Sequence, residues 1–352
     1  MTVLAVSASP VLGGAERVLL DWTRALEPPV VLAAPPGPLT AAAAAAGLEV
    51  ATLSELPLQR RGRNVAAARD LGALAREVAA AVRRHRATLV VASGERPVLA
   101  AATLGMPTLA LLHDLPHSAL VRAAAARAGA IVVTSGAIAR AADPGARRLA
   151  RTHTIHPGVD LAAWSLPDPP PPEPPRALVL GALVPWKRAD LALEIAARLP
   201  ELGLDIAGAP LPGDPPGFAA ALRKRALHPD VAGRVRFLGA VDDPREPLAA
   251  AHCLLHCADR EPFGLALVEA LAAGRPVVAP AAAGPLEIVT PACGRLYRPG
   301  DPAEGAAALR SALALPGLRT GARARARAFD GPAAARRFAA VVEALRRPRN
   351  GR

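Results

Sequence analysis

The most informative stretch of this 352-residue sequence is Glu261-Pro-Phe-Gly-Leu-Ala-Leu-Val-Glu269, continued by Ala-Leu-Ala-Ala-Gly274-Arg-Pro276-Val-Val. Its apolar run predicts a short buried helix that ends at Gly274 and Pro276, because glycine and proline terminate helices. Gly264 then falls at the start of the helix, where unpaired N–H groups and the helix dipole favour an anion. Glu261 precedes that position, and Glu269 is expected about two turns into the helix. Two carboxylates with an anion site between them match the sugar, phosphates and ribose of a nucleotide-sugar.

This stretch resembles the signature of the retaining glycosyltransferases of family 4, which have the two-domain GT-B fold. The resemblance rests on two glutamates that flank a Pro-Phe-Gly loop and on the Ala-Gly-Arg-Pro-Val-Val sequence after them. A bare glutamate pair at this spacing is common by chance, but the surrounding motif favours the functional interpretation. The resemblance implies that Glu261 contacts the donor sugar and that Glu269 contacts the ribose. It also implies that Phe263, Gly264 and Leu265 belong to the donor-binding segment.

A second motif, Gly181–Arg188, follows a predicted strand. In the family this segment usually carries an arginine and a lysine that bind the donor diphosphate. Lys187 matches the lysine, and it is one of only two lysines among 42 basic residues, so its presence is informative. Ala182 stands in place of the arginine, which removes a bidentate phosphate ligand. Arg188 or Arg260 could replace it geometrically, and the sequence leaves this open.

The first half of the chain carries a glycine turn, Gly13-Gly14-Ala-Glu16, between a predicted strand at 3–7 and a helix. A strand, a glycine turn and a helix N-terminus can form an anion-binding unit. The segment resembles the first loop of the family, which implies that Gly14 lies near the donor and that Gly13 and Glu16 lie on the acceptor side. A tight turn with a helix cap is the alternative.

His113 follows the predicted strand 108–112, at the carboxyl end where α/β proteins bind ligands. The family carries a histidine at the end of this strand, so the resemblance implies that His113 lies near the donor sugar and the bond that forms. A structural histidine is the alternative, and His117 is a second candidate. Together with Glu261 and Lys187, His113 makes up the set that the resemblance assigns to catalysis.

A basic loop precedes a predicted long helix, and its arginines are Arg60, Arg61 and Arg63. In GT-B transferases this part of the first domain often serves the acceptor. The three arginines could meet an anionic acceptor or membrane phosphates, which would give a weak peripheral membrane contact. A solvated loop in an arginine-rich protein is an equal alternative.

The domain organisation is marked by proline, with four consecutive prolines at 169–172. Such a stretch predicts a semi-rigid linker rather than a helix or a central strand. The resemblance implies an α/β protein of two Rossmann-like, doubly wound domains that face each other across a cleft. We expect an acceptor-side domain at 1–164, a linker at 165–176 and a nucleotide-sugar-binding domain at 177–330. A C-terminal helix at 331–352 is expected to pack back toward the first domain.

Composition limits the other classes. The formal net charge is +12, but only 3% of residues are aromatic, which argues against single-stranded nucleic-acid binding. Three cysteines do not form a disulfide framework, and a reducing cytoplasm is the natural compartment. No apolar run is long enough to span a bilayer. The residues at 252, 253, 256 and 257 are histidines and cysteines that resemble metal ligands, but they alternate along a predicted strand and are expected to be buried instead.

The resemblance implies transfer of a sugar from a nucleotide diphosphate to an acceptor, with retention at the anomeric carbon. No Asp-x-Asp motif occurs, and we expect neither a metal nor another cofactor. The acceptor is a sugar, a polysaccharide or a lipid-linked molecule. The main alternative is a non-catalytic relative that binds a nucleotide or a partner without turnover, which Ala182 and Ala283 favour. An epimerase or a phosphorylase is a third possibility.

Overall fold

The computed structural model describes residues 2–55, 64–116, 118–164, 166–167, 174–211 and 217–346. The chain divides into two compact units. The first contains Met1–Pro157 and Pro332–Arg352, and the second contains Gly158–Gly331. Each unit is an α/β structure built on one parallel sheet.

The first unit has a seven-stranded sheet in the order β3-β2-β1-β4-β5-β6-β7. The strands are β1 (Thr2–Ser7), β2 (Val30–Ala34), β3 (Glu49–Thr52), β4 (Ala87–Ser93), β5 (Thr108–Leu112), β6 (Ala130–Val133) and β7 (Thr152–Thr154). The helices between them are α1 (Gly14–Arg24), α2 (Pro38–Ala45), α3 (Asn64–His85), α4 (Glu95–Ala101), α5 (Ala119–Ala125) and α6 (Gly136–Ala142), with a 3-10 turn at Leu149–Arg151. The central strands are buried apolar runs, as a parallel sheet covered on both faces requires.

The second unit has a six-stranded sheet in the order β10-β9-β8-β11-β12-β13. The strands are β8 (Arg176–Leu180), β9 (Gly203–Ala207), β10 (Val235–Gly239), β11 (Cys253–Leu255), β12 (Val277–Pro280) and β13 (Gly294–Tyr297). The helices are α7 (Ala189–Ala197), α8 (Gly217–Arg225), α9 (Arg245–Ala250), α10 (Leu265–Ala272), α11 (Pro285–Ile288), α12 (Pro302–Leu313) and α13 (Gly317–Ala326), with 3-10 turns at Pro185–Lys187 and Arg327–Phe329. The two units thus share a doubly wound, Rossmann-like architecture.

The last helix, α14 (Gly331–Arg346), returns the chain to the first unit. Its buried residues Ala334, Phe338 and Val342 are four positions apart and form one apolar face. The Phe338 ring packs on the Trp22 ring of α1, with 5.1 Å between the centroids. This contact makes the C-terminal helix part of the first unit's core.

The boundary between the units lies at Pro157 and Gly158, earlier than the boundary predicted between 164 and 165. The chain already packs on the second unit from Gly158 onward, where a Cβ atom would lie 2.0 Å from the Phe329 carbonyl oxygen. The Arg275 guanidinium then donates to the Pro167 carbonyl at 2.7 Å. Proline content marks an extended segment but carries no information on which unit that segment packs against, and the prediction was wrong for that reason.

Candidate functional site

The predicted donor-site residues of the second unit lie after β8 and β11, which are neighbours in the sheet. From β8 the chain proceeds to β9 on one side, whereas from β11 it proceeds to β12 on the other side. Such a reversal of strand order opens a crevice at the carboxyl ends of the strands, where open α/β sheets bind ligands.

Lys187 and Glu261 meet at this position. The Lys187 ammonium donates a hydrogen bond to Glu261 Oε2 and forms an ion pair with it. His256 Nε2 lies 3.3 Å from the same oxygen. Burial raises the pKa of the Glu261 carboxyl, but the Lys187 charge and the His256 contact outweigh burial and lower it to about 2. Glu261 is therefore an ionised, acceptor-only group at neutral pH, although it is only 7% exposed.

Arg188 also lies at this site, and its guanidinium is already paired. It donates to Asp259 Oδ2 at 2.9 Å and to Asp190 Oδ2 at 3.2 Å. Two carboxylates therefore neutralise the cation that could have replaced the arginine missing at Ala182. Arg260, the other replacement considered, is exposed. The donor-binding role of Arg188 stays a prediction.

The α10 helix begins as the sequence predicts. Gly264 is its N-cap residue at φ 107°, a conformation that disfavours any other residue. The Phe263 ring is buried against Phe329, at 6.0 Å between centroids, and Leu265 is the first helical residue. Glu269 is buried and is the fifth helical residue, a little over one turn in rather than two.

The segment after β12 supports the Glu261 loop. Gly284 N donates to the Glu261 carbonyl at 3.0 Å, and a Cβ atom at Gly284 would lie 2.1 Å from the Phe263 carbonyl oxygen. Only glycine permits that approach. Ala283, where the family has another glycine, adopts a left-handed φ of 45°.

Three neighbouring strands end in glycine: Gly181 after β8, Gly208 after β9 and Gly239 at the end of β10. Gly208 N donates to the Gly239 carbonyl at 2.6 Å, and a Cβ atom at Gly208 would lie 1.8 Å from the Gly181 carbonyl oxygen. The carboxyl ends of these three strands therefore pack main chain against main chain, and the lack of a side chain at Gly208 permits that approach.

The first unit has its own polar cluster at the carboxyl ends of its strands. His113 follows β5, and its Nε2 lies 3.1 Å from the hydroxyl oxygen of Ser93 at the end of β4. Burial lowers the pKa of the His113 imidazole to about 4, so it is neutral at pH 7. Glu16, near the start of α1, accepts from Gly13 N at 3.1 Å. Burial and, to a smaller extent, the charge of Asp114 raise the pKa of the Glu16 carboxyl, while hydrogen bonds oppose them.

The structure thus divides the predicted site residues between the units. Gly13, Gly14, Glu16 and His113 belong to the first unit, and Lys187, Arg188 and the 261–269 segment belong to the second. Arg60, Arg61, Arg63 and His117 lie outside the described residues.

His256 was not among the site residues that the sequence predicted. A lone histidine at the end of an apolar strand is more often a core residue. His256 is indeed 5% exposed, but its ring also reaches Glu261. The neighbouring Cys257 is inert, because burial raises the pKa of its thiol to about 12.

Two kinds of feature are absent from the part of the chain that the structure describes. No three His, Cys, Asp or Glu side chains are grouped so that they could hold a metal ion. In the same part of the chain, no helix combines the length and apolar composition of a membrane span.

Models of glycosyltransferase families match both halves of the chain. A sequence model of glycosyl transferases group 1 matches residues 166–329, and a model of Glycosyltransferase Family 4 matches residues 12–163. The phosphatidyl-myo-inositol mannosyltransferase of Mycolicibacterium smegmatis is 36% identical over 182 residues, which are 48% of this chain and 45% of that protein. The lipopolysaccharide core biosynthesis glycosyltransferase LpsE of Rhizobium meliloti is 35% identical over 115 residues, or 33% of this chain and 32% of LpsE. The matches therefore span less than half of these relatives' lengths.

Solved structures extend the likeness to the whole fold. The crystal structure of Anabaena Alr3699/HepE in complex with UDP-glucose superposes with a TM-score of 0.84, covering 98% of this chain and 100% of that chain at 22% identity. Because two family models cover adjacent halves of the sequence and the fold matches from end to end, the chain belongs to the GT-B glycosyltransferases.

Proposed function

We propose that this protein transfers a sugar from a nucleotide-diphosphate-sugar donor to an acceptor. The observation that carries the proposal is the Lys187–Glu261 ion pair beside the N-terminus of α10, at the strand-order reversal of the second sheet. The HepE structure, which has the same fold, contains UDP-glucose. A diphosphate needs a cation and N–H donors, and a sugar needs hydrogen-bond acceptors.

Each group has a distinct task in this proposal. Lys187 and the first N–H groups of α10 stabilise the negative charge of the departing diphosphate. This lowers the activation barrier for cleavage of the bond between the sugar and the diphosphate. Glu261 accepts hydrogen bonds from donor-sugar hydroxyls, and Glu269 binds the ribose. Transfer then depends mainly on holding the donor and the acceptor at the distance and orientation that the reaction requires.

We propose that transfer proceeds with retention and without a metal ion. A carboxyl with a pKa of about 2 is a weak base, so Glu261 is unsuited to remove a proton from the acceptor hydroxyl at neutral pH. The departing diphosphate is then the base, on the same face of the sugar as the acceptor. Lys187 supplies the positive charge that a metal would otherwise provide.

Turnover is tested by measuring nucleoside diphosphate release from UDP-, GDP- and ADP-sugars, with sugar, polysaccharide or lipid-linked acceptors. The wild type should release one diphosphate in an acceptor-dependent manner, and Glu261→Gln should lose most of that rate. The product's anomeric configuration by NMR tests retention, and EDTA should leave the rate unchanged. The alternative of a binder without turnover, which Ala182 favours, is supported instead if a nucleotide-sugar binds but no acceptor yields product.

A further inference from the structure

His256 lies in a fixed position beside the Glu261 carboxylate. It follows β11, its backbone N donates to the Val278 carbonyl at 2.8 Å, and its own carbonyl accepts from the Tyr297 hydroxyl at 3.0 Å. These bonds tie His256 to the two strands beyond β11, since Val278 lies in β12 and Tyr297 in β13. Both the N–H and the carbonyl of its main chain are thus hydrogen-bonded.

The imidazole has one polar group in reach at Nε2. That atom is buried, lies 3.3 Å from Glu261 Oε2 and makes no hydrogen bond to any other described residue. A buried nitrogen without a full hydrogen bond is costly, and a small rotation toward the carboxylate would satisfy it.

Lys187 cannot serve two anions fully at once. In the structure its ammonium is paired with Glu261, yet a donor diphosphate would compete for the same charge. When Lys187 turns to the diphosphate, the Glu261 carboxylate loses its main partner while it remains buried. A second donor is then needed to keep it in place.

We propose that His256 is the positioning residue for Glu261: its Nε2–H holds the carboxylate toward the donor sugar when the diphosphate engages Lys187. This inference rests on the proposed function of the site. It assigns the two contacts of Glu261 to different stages, with Lys187 dominant in the empty site and His256 dominant in the occupied one. His256 therefore affects recognition of the sugar, whereas Lys187 affects recognition of the diphosphate.

The test compares binding of a nucleoside diphosphate with binding of its sugar donor by calorimetry. The probes are UDP with UDP-glucose, GDP with GDP-mannose, and ADP with ADP-glucose, and the pair that the wild type binds is used. His256→Leu removes the hydrogen-bond donor at Nε2, whereas His256→Gln keeps a side-chain N–H group that can donate to Glu261. His252→Leu is the matched control, because His252 is equally buried on the same segment but accepts from Arg176 N, away from Glu261.

His256→Leu should bind the nucleoside diphosphate within twofold of the wild type, but should lose at least tenfold in affinity for the sugar donor and in kcat/KM. His256→Gln should recover most of that loss, and His252→Leu should show none of it. Equal weakening of both ligands, unchanged sugar-donor binding in His256→Leu, or the same loss in His252→Leu would overturn the inference. A wild type that binds no probe would instead overturn the proposed function itself.

Discussion

Lys187 and Glu261 are 74 residues apart in sequence, yet their side chains form an ion pair that joins the loop after β8 to the loop after β11. A second ion pair, Arg188 with Asp259, joins the same two loops. The two pairs fix the position of the only lysine in this part of the site and of the carboxylate that accepts its charge. A diphosphate that enters here must compete with Glu261 for Lys187.

Replacing Lys187 should reverse the effect that ionisation of Glu261 has on stability. In the wild type, Glu261 has a folded pKa of about 2 against an ordinary 4.5, so it stabilises the fold above pH 4.5 and loses that effect as the pH falls toward 2. In Lys187→Met, burial dominates, the pKa rises above its ordinary value, and ionisation destabilises the fold as the pH rises. We expect Lys187→Met to be about 2 to 3 kcal/mol less stable at pH 7.5, because one partner of a buried pair is lost while His256 remains.

Urea unfolding at pH 7.5 and pH 4 measures this effect, and the difference between Lys187→Met and the wild type should shrink at the lower pH. Lys224→Met is the control, because Lys224 is the other lysine and is exposed on α8. A gap that does not change with pH would show that Lys187 stabilises the fold by packing rather than by its charge.

Gly264→Ala should destabilise the second unit. The residue has φ 107°, and its new Cβ would lie 2.7 Å from Leu267 Cδ1. We expect a loss of about 2 kcal/mol in the free energy of unfolding, since a non-glycine residue at positive φ is strained. Gly317→Ala, where nothing lies within 4 Å of the new Cβ, should change stability by less than about 0.5 kcal/mol. Equal effects of the two substitutions in chemical unfolding would rule out the strain explanation.

Ala283→Gly should stabilise the protein, which is unusual for this substitution. Ala283 has φ 45°, so losing the Cβ relieves the strain of the left-handed conformation. This gain in stability is expected to exceed the loss that glycine causes by raising the conformational entropy of the unfolded chain. We expect a gain of up to about 1 kcal/mol, visible as a higher melting temperature. Ala282→Gly, at a neighbour outside the left-handed region, should lower the melting temperature instead. A decrease in both variants would contradict the backbone geometry at Ala283.

How much of the site the sequence could predict depended on whether a residue belonged to a motif. Glu261, Gly264 and Lys187 could be chosen as candidates because their spacing and neighbours are distinctive, and the helix after Gly264 begins at Leu265 as predicted. His256 stands in no motif, and its value comes from a contact that only the folded loop creates. The pairing of Arg188 with Asp190 and Asp259 likewise depends on the loop conformation.

The fold was predictable where periodicity was strong. Strand Thr108–Leu112 has the predicted bounds, because buried parallel strands are continuous apolar runs. Helices Glu95–Ala101 and Arg245–Ala250 were missed, because six or seven residues around a proline give little helical periodicity. Strand Thr152–Thr154, at the sheet edge, was too short and too polar to identify.

His113 should make the protein less stable as the pH falls, whereas a histidine with the same pKa in the folded and unfolded states would have no such effect. Its folded pKa is about 4 against an ordinary 6.5, so protonation favours the unfolded state as the pH falls below 6.5. The wild type should lose about 2 kcal/mol from this group between pH 7.5 and pH 5. In His113→Gln, which retains a polar group for Ser93, the free energy of unfolding measured in urea should fall by about 2 kcal/mol less than in the wild type over the same pH range. Identical losses in both proteins would show that His113 titrates normally.

The most direct test of the donor site is calorimetric binding of UDP, GDP and ADP to the wild type, Lys187→Met and Lys224→Met. We predict that the wild type and Lys224→Met bind one of these diphosphates equally well, and that Lys187→Met binds it at least tenfold more weakly, a difference of about 1.4 kcal/mol. Glu269→Ala should also weaken the same nucleotide through the ribose. If Lys187→Met binds as tightly as the wild type, or if the wild type binds none of the three, the site at Lys187 and Glu261 does not bind a nucleotide donor.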